Sequence, residues 1–233
     1  MSNIKELKNT HIGERCFVIG NGPSVNDYDF SKLLNENIIV TNCFHQHKLW
    51  PKFKNIYHVE LNGAFRLHPE VTKWKVNNLL KNKNATYILR MKFKSIWDNL
   101  PIPEERKYYL KLQKPQTVVD GEYHWDISDY SLWANTGVIE GSMALAQYMG
   151  FKTIYLIGCD VSGFKERGGY FYDWKKTPSV YHPRKSDKND FENMKKSWIT
   201  ISKKFKEKNI NVYNLSEFSK LNCFEKRRME DII

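Results

Sequence analysis

The sequence is short of several things. Four cysteines, Cys16, Cys43, Cys159 and Cys223, lie far apart among 233 residues, and no two form a C-x-x-C pair. That spacing excludes the usual zinc frameworks, and no metal site is expected. Three of the four sit in or beside apolar runs, where a free thiol acts as a small hydrophobe. A reduced, cytoplasmic protein is the expectation. Long apolar runs are missing too: stretches such as Ile154–Ile157 are far too short to span a bilayer. The opening "MSNIKELKNTHIGERC" lacks the apolar core of a secretory leader. Acidic residues are outnumbered, 26 against 37 lysines and arginines, giving a net charge of +11. Such an excess suits nucleic acid, an anionic membrane face or a phosphorylated substrate. No nucleic-acid motif accompanies it, so nucleic acid is not an expected partner. The lysines are scattered or helical, which reads as a solvated face. The other reading is a peripheral attraction to the inner membrane leaflet.

What is present is an alternation. At 41% hydrophobic and 14% aromatic, the chain can bury a sizeable core. Arg15–Ile19, Ile38–Thr41, Ile56–Glu60, Thr86–Leu89, Thr153–Ile157 and Asn211–Leu215 are predicted strands; four are rich in Val, Ile and Tyr and short enough to be fully buried. Helical patterns lie between them, at Val71–Leu80 and Gly141–Met149, the second ending at Gly150. In "DFENMKKSWITISKKFKEK" the apolar Phe191, Met194, Trp198, Ile201 and Phe205 share one stripe opposite the lysines. Alternating strands and helices predict an α/β fold with a Rossmann-like, mostly parallel sheet flanked by helices. One domain over 1–233 is expected, with residues 92–130 as a small insertion beside the sheet and 161–187 as a lid or binding loop.

In such sheets ligands sit at the carboxyl ends of the strands. Gly20-Asn21-Gly22-Pro23-Ser24 follows the first strand, Asn42 the second, Asn62 and Gly63 the third, and Gly158-Cys159-Asp160 the strand Thr153–Ile157. The glycine loop is neither a Walker A loop nor a G-x-G-x-x-G fingerprint. It reads either as a plain tight turn or as a place where backbone N–H groups approach a phosphate. Asn21, Asn42 and Asn62 are turn formers, or amides that read a base or ribose. Asp160 fits ribose hydroxyls, a metal or its own loop. Lys165, Arg167, Tyr170 and Tyr172 offer cations and hydroxyls for a phosphate leaving group. His182, in "YHPRKSD", fits a general base. His45, His47, His58, His68 and His124 read as structural.

"FVIGNGPSVNDYDFSKL", "VTN" and "GSMALAQYMGFKTIYLIGCD" resemble blocks of the bacterial sialyltransferases of glycosyltransferase family 42. They also resemble the related 6-hydroxymethylpterin pyrophosphokinase MptE-like (DUF115) proteins. The likeness covers most of the chain and is weakest over 65–135. It implies a GT-A-like nucleotide-binding domain and an inverting transfer of an acidic sugar from a CMP-activated donor to a surface glycan acceptor. By resemblance, Gly20, Asn21, Gly22 and nearby Ser24 take the CMP part of the donor, joined by Asn42 and Asn62, and Asn135, Thr136 and Gly137 form the turn before the long helix. His182 becomes the base and Tyr170, with Tyr172 as rival, holds the departing phosphate. The family's other tyrosine is absent: Ser162 and Gly163 stand there. No cofactor is required on this reading, although Mg²⁺ fits the pyrophosphokinase alternative, with Asp160 as its ligand. A non-catalytic nucleotide-sugar-binding protein is the third reading. The family's habit of association implies a homo-oligomer.

Overall fold

The computed structural model describes residues 3–61, 69–113, 127, 131–133, 138–161, 169–178 and 188–233. Nine strands form one sheet: β1 (Arg15–Ile19), β2 (Asn37–Thr41), β3 (Asn55–Glu60), β4 (Thr86–Arg90), β5 (Lys107–Gln113), β6 (Ser131–Trp133), β7 (Thr153–Ile157), β8 (Asn211–Asn214) and β9 (Glu225–Lys226). Their order is β6-β5-β4-β3-β2-β1-β7-β8-β9, and every neighbouring pair is parallel. The predicted α/β architecture and all six predicted strands are present.

Burial explains the pattern. In β1, β2 and β7 every residue after the first is buried, as strands covered on both faces require. Successive side chains alternate between two cores. Cys16 and Val18 face helices α3 (Val138–Tyr148) and α4 (Lys188–Glu207), through residues such as Met143, Trp198 and Phe205. Phe17 and Ile19 face α1 (Pro69–Leu79), α2 (Lys94–Asp98) and a set of 3₁₀ turns carrying Phe30, Phe44 and Trp50. α3 stops at Gly150, whose φ of +93° is a left-handed conformation that glycine adopts without strain.

β5 was not expected. It lies inside the irregular-looking stretch 92–130, yet it pairs with β4 over Lys107–Leu110. Its sequence, KYYLKLQ, hides the pattern because Lys107 is buried, its ammonium paired with Glu104 and bonded to the Trp97 carbonyl at 3.3 Å.

The strand order sets the site. From β1 the chain builds outward through β2 to β6, then returns and builds the other way through β7, β8 and β9. The reversal lies between β1 and β7. In sheets of this kind ligands bind at the carboxyl ends of the strands beside such a reversal. No helix among the described residues is long and apolar enough to cross a membrane.

Candidate functional site

The loop after β1 is sewn to the loop after β7. Gly20 N–H donates to the Ile157 carbonyl at 2.8 Å and Gly22 N–H to the Gly158 carbonyl at 2.9 Å. A Cβ on Gly20 would overlap the Gly158 oxygen, and one on Gly22 would overlap the Asp160 carboxylate and lie 2.7 Å from the Gly158 oxygen. The glycines are there so that two loop backbones can touch. Their N–H groups are given to protein carbonyls rather than left for an anion.

Asp160 closes the same junction. One carboxylate oxygen accepts Ser24 N–H at 3.0 Å and the other accepts the Ser24 hydroxyl. Ser216, just past β8, lies 3.0 Å from Ser24 Oγ and accepts Gly158 N–H at 3.0 Å. All three side chains are buried. Asp160 thus serves its own loops, the plainest of the roles open to it. Among the described residues no group of three His, Cys, Asp or Glu is placed to hold a metal ion.

Asn21 has a different environment. Its Nδ2 donates to the Thr41 carbonyl at 3.0 Å and to Thr41 Oγ1 at 2.9 Å, tying the β1 loop to the end of β2. Its Oδ1 is buried and has no hydrogen-bond partner among the described residues. Asn42, next in chain after Thr41, has the left-handed φ of +50° that asparagine tolerates. Its carbonyl accepts from His58 Nε2 at 3.0 Å, its N–H reaches the Val59 carbonyl at 3.4 Å, and its Oδ1 is likewise buried without a partner.

A segment beyond β7 straps across these loops. Phe171 N–H donates to the Asn21 carbonyl at 3.1 Å, and Asn26 Nδ2 to the Phe171 carbonyl at 2.9 Å. The Phe171 ring packs on Phe44 at 5.8 Å and His47 at 6.1 Å. Tyr170 and Tyr172 stack on one another at 5.1 Å with planes 7° apart. Burial, then the nearby Cys43 thiol, raises the Tyr170 phenol, so it stays a donor at neutral pH. The Cys43 thiol, raised chiefly by burial, hydrogen-bonds with Tyr172.

Beneath Asn42 lies a buried polar cluster. Glu60 and Lys75 form an ion pair with 0% and 1% side-chain exposure. Burial, aided by the Lys75 charge, lowers His58 to about 3 and His45 well below the usual histidine value, so both rings are neutral at working pH. Because a carbonyl only accepts, His58 carries its proton on Nε2, facing Asn42. Both His45 nitrogens are buried without a hydrogen-bond partner among the described residues.

Of the residues singled out from sequence, Gly20, Asn21, Gly22, Ser24, Asn42, Asp160, Tyr170 and Tyr172 gather at the ends of β1, β2 and β7. Asn62, Asn135, Thr136, Gly137, Lys165, Arg167 and His182 lie outside the described residues. Thr41, Phe171 and Ser216 were missed. Thr41 and Ser216 stand at strand ends, which was the available signal; nothing local marked Phe171.

No protein-family model matches the chain. No curated protein matches it. Solved structures do. The sialyltransferase CST-II in complex with a trisaccharide acceptor and CMP superposes with a TM-score of 0.54 at 18% identity, over 91% of this chain and 85% of that one. CstII from Campylobacter jejuni in complex with cytidine-5′-monophosphate gives 0.52 at 18% identity, over 92% and 85%. The chain shares its fold with these sialyltransferases. The MAf glycosyltransferase from Magnetospirillum magneticum AMB-1 gives 0.62 at 15% identity, over 99% of this chain but only 38% of that longer one. At such identities the likeness concerns the fold, and the chemistry has to be argued from this chain's own residues.

Proposed function

We propose that this protein is an inverting glycosyltransferase that moves an acidic sugar from a CMP-activated donor to a surface glycan acceptor. The observation that carries the reading is the meeting of Asn21, Asn42 and the Tyr170–Tyr172 stack at the carboxyl ends of β1 and β2, beside the reversal of strand order. The fold shared with sialyltransferases solved with CMP supports it. Asn21 and Asn42, with Asn62 and the Asn135–Gly137 turn, hold the nucleotide. His182 takes the proton from the acceptor hydroxyl as that oxygen bonds to the anomeric carbon. The bond from that carbon to the phosphate breaks, and CMP leaves with its electron pair. Tyr170 donates to the departing phosphate, helped by Lys165 or Arg167. This route requires no metal. Gly20, Gly22, Ser24 and Asp160 fasten the loops after β1 and β7 to one another. The protein acts in the cytoplasm, at the inner membrane face through its excess of basic residues, and as a homo-oligomer.

The Mg²⁺-dependent diphosphate-transfer alternative is disfavoured by one observation: both carboxylate oxygens of Asp160, its natural metal ligand, are occupied by Ser24. Calorimetry with CMP, UDP, GDP and ATP, with and without Mg²⁺, separates the readings. Metal-independent CMP binding is expected, and strictly Mg²⁺-dependent ATP binding would reverse the ranking. His182→Ala should abolish transfer and leave CMP affinity nearly unchanged. Normal transfer by that variant removes His182 from the mechanism. CMP binding with no transfer by the unaltered protein leaves a nucleotide-sugar-binding protein.

A further inference from the structure

We infer that the Asn21 side chain reads a hydrogen-bond donor on the ligand, a ribose hydroxyl or the exocyclic amine of the base, and that Gly20, Gly22 and Ser24 do not bind the phosphate. The inference rests on the nucleotide site proposed above and fixes which part of the nucleotide meets β1.

The argument is one of hydrogen-bond polarity. The Thr41 carbonyl can only accept, so the amide atom 3.0 Å from it is the nitrogen of Asn21. The second hydrogen on that nitrogen points to Thr41 Oγ1 at 2.9 Å. Both donors are used, and rotating the amide would set two oxygens against each other. What Asn21 has left is Oδ1, an acceptor, buried and unpartnered among the described residues. A phosphate oxygen is also an acceptor and is repelled there. Four donors of the loop are committed within the protein: Gly20 N–H to Ile157, Gly22 N–H to Gly158, and Ser24 N–H and hydroxyl to Asp160. Asn42 stands one strand over, its backbone held by His58 and Val59, and its side-chain amide is a further polar group at the strand ends. A buried acceptor left unpaired is costly, and a ligand that donates to it recovers that cost. The phenols of Tyr170 and Tyr172 lie on the strap that crosses this loop, and they are donors. The acceptor at the end of β1 and the phenols on the strap orient the nucleotide, with its hydroxyl- and amine-bearing part at Asn21 and its phosphate toward the tyrosines.

The test is a ligand series measured by calorimetry on the full chain. CMP is compared with 2′,3′-dideoxy-CMP, which lacks the ribose donors, and with UMP, which lacks the base amine. Inorganic pyrophosphate is tried as a competitor. One of the two deletions should weaken binding about tenfold, the effect of one neutral hydrogen bond, and which one does so identifies the donor. Asn21→Leu, which keeps the volume and cannot accept, should bind CMP about tenfold more weakly and erase the difference between CMP and that analogue. Pyrophosphate should not compete in an Asn21-dependent way. Dideoxy-CMP and UMP both binding as well as CMP would overturn the inference while leaving the CMP reading intact. So would competition by pyrophosphate that disappears in Asn21→Leu. Failure of CMP itself to bind overturns both. Should Asn21→Leu not fold, the analogue series on the unaltered protein still decides.

Discussion

The two walls of the candidate site are built on opposite plans. Where β1 meets β7, the groups that join the two loops are satisfied: glycine N–H by carbonyl, Ser24 by Asp160, Gly158 by Ser216. Where β2 meets β3, polar groups are buried in excess of their partners. Asn42 Oδ1, His45 and His58 Nδ1 have no hydrogen-bond partner among the described residues, and an ion pair is enclosed below them. The first wall is a fastening and should respond to volume. The second carries unspent hydrogen-bonding capacity and fixed charge, and should respond to charge and proton concentration. Unspent capacity at a strand end is the better marker of a ligand than a glycine-rich turn.

Four changes put that contrast at risk. The largest effect belongs to the second wall. Lys75→Met strands Glu60 in the interior and should cost about 3–5 kcal/mol, whereas Lys75→Met with Glu60→Leu should recover most of it. Denaturant unfolding of the single and double variants measures both, and equal losses would show the pair to be dispensable. Gly22→Ala comes next. Its methyl overlaps Asp160 and should cost about 2–3 kcal/mol by overpacking, with no change in how stability varies with pH. Ser216→Ala leaves Gly158 N–H unpaired and should cost about 1–2 kcal/mol in the same assay. The smallest, taken over a single pH unit, is graded. His45 and His58 are held neutral in the native state but take up protons near pH 6.5 when unfolded. Stability is therefore full above pH 6.5 and falls as pH drops toward 3, the native value of His58. Each ring contributes about 1.4 kcal/mol per pH unit within its window. Replacing His58 with Phe should flatten that slope. A slope that Gly22→Ala changes and His58→Phe leaves intact would invert the comparison.

Six strands were legible because their apolar, β-branched runs have no other stable use. β5 was not, because Lys107 looks like a surface residue until Glu104 and the Trp97 carbonyl are seen around it. β9 is two exposed charged residues, Glu225 and Lys226, which no periodicity can announce. At the site, position was legible and polarity was not. The spacing of Gly20, Asn21 and Gly22 located a loop beside the reversal of strand order. Whether its N–H groups were free, and whether Asn21 offered a donor or an acceptor, depended on Gly158 and Thr41, contacts that only the assembled sheet creates.

The place of β1 in the sheet also has a consequence for synthesis. Phe17 lies opposite Ile38 on one side but opposite Tyr155 on the other. As the chain leaves the ribosome, the first edge of β1 is covered early, while the second waits until Thr153–Ile157 has emerged. For that interval a flat, apolar strand offers an open edge to any other nascent chain. Truncations that stop before Thr153 should therefore aggregate through β1, and slow translation across α3 should lower the yield of folded protein.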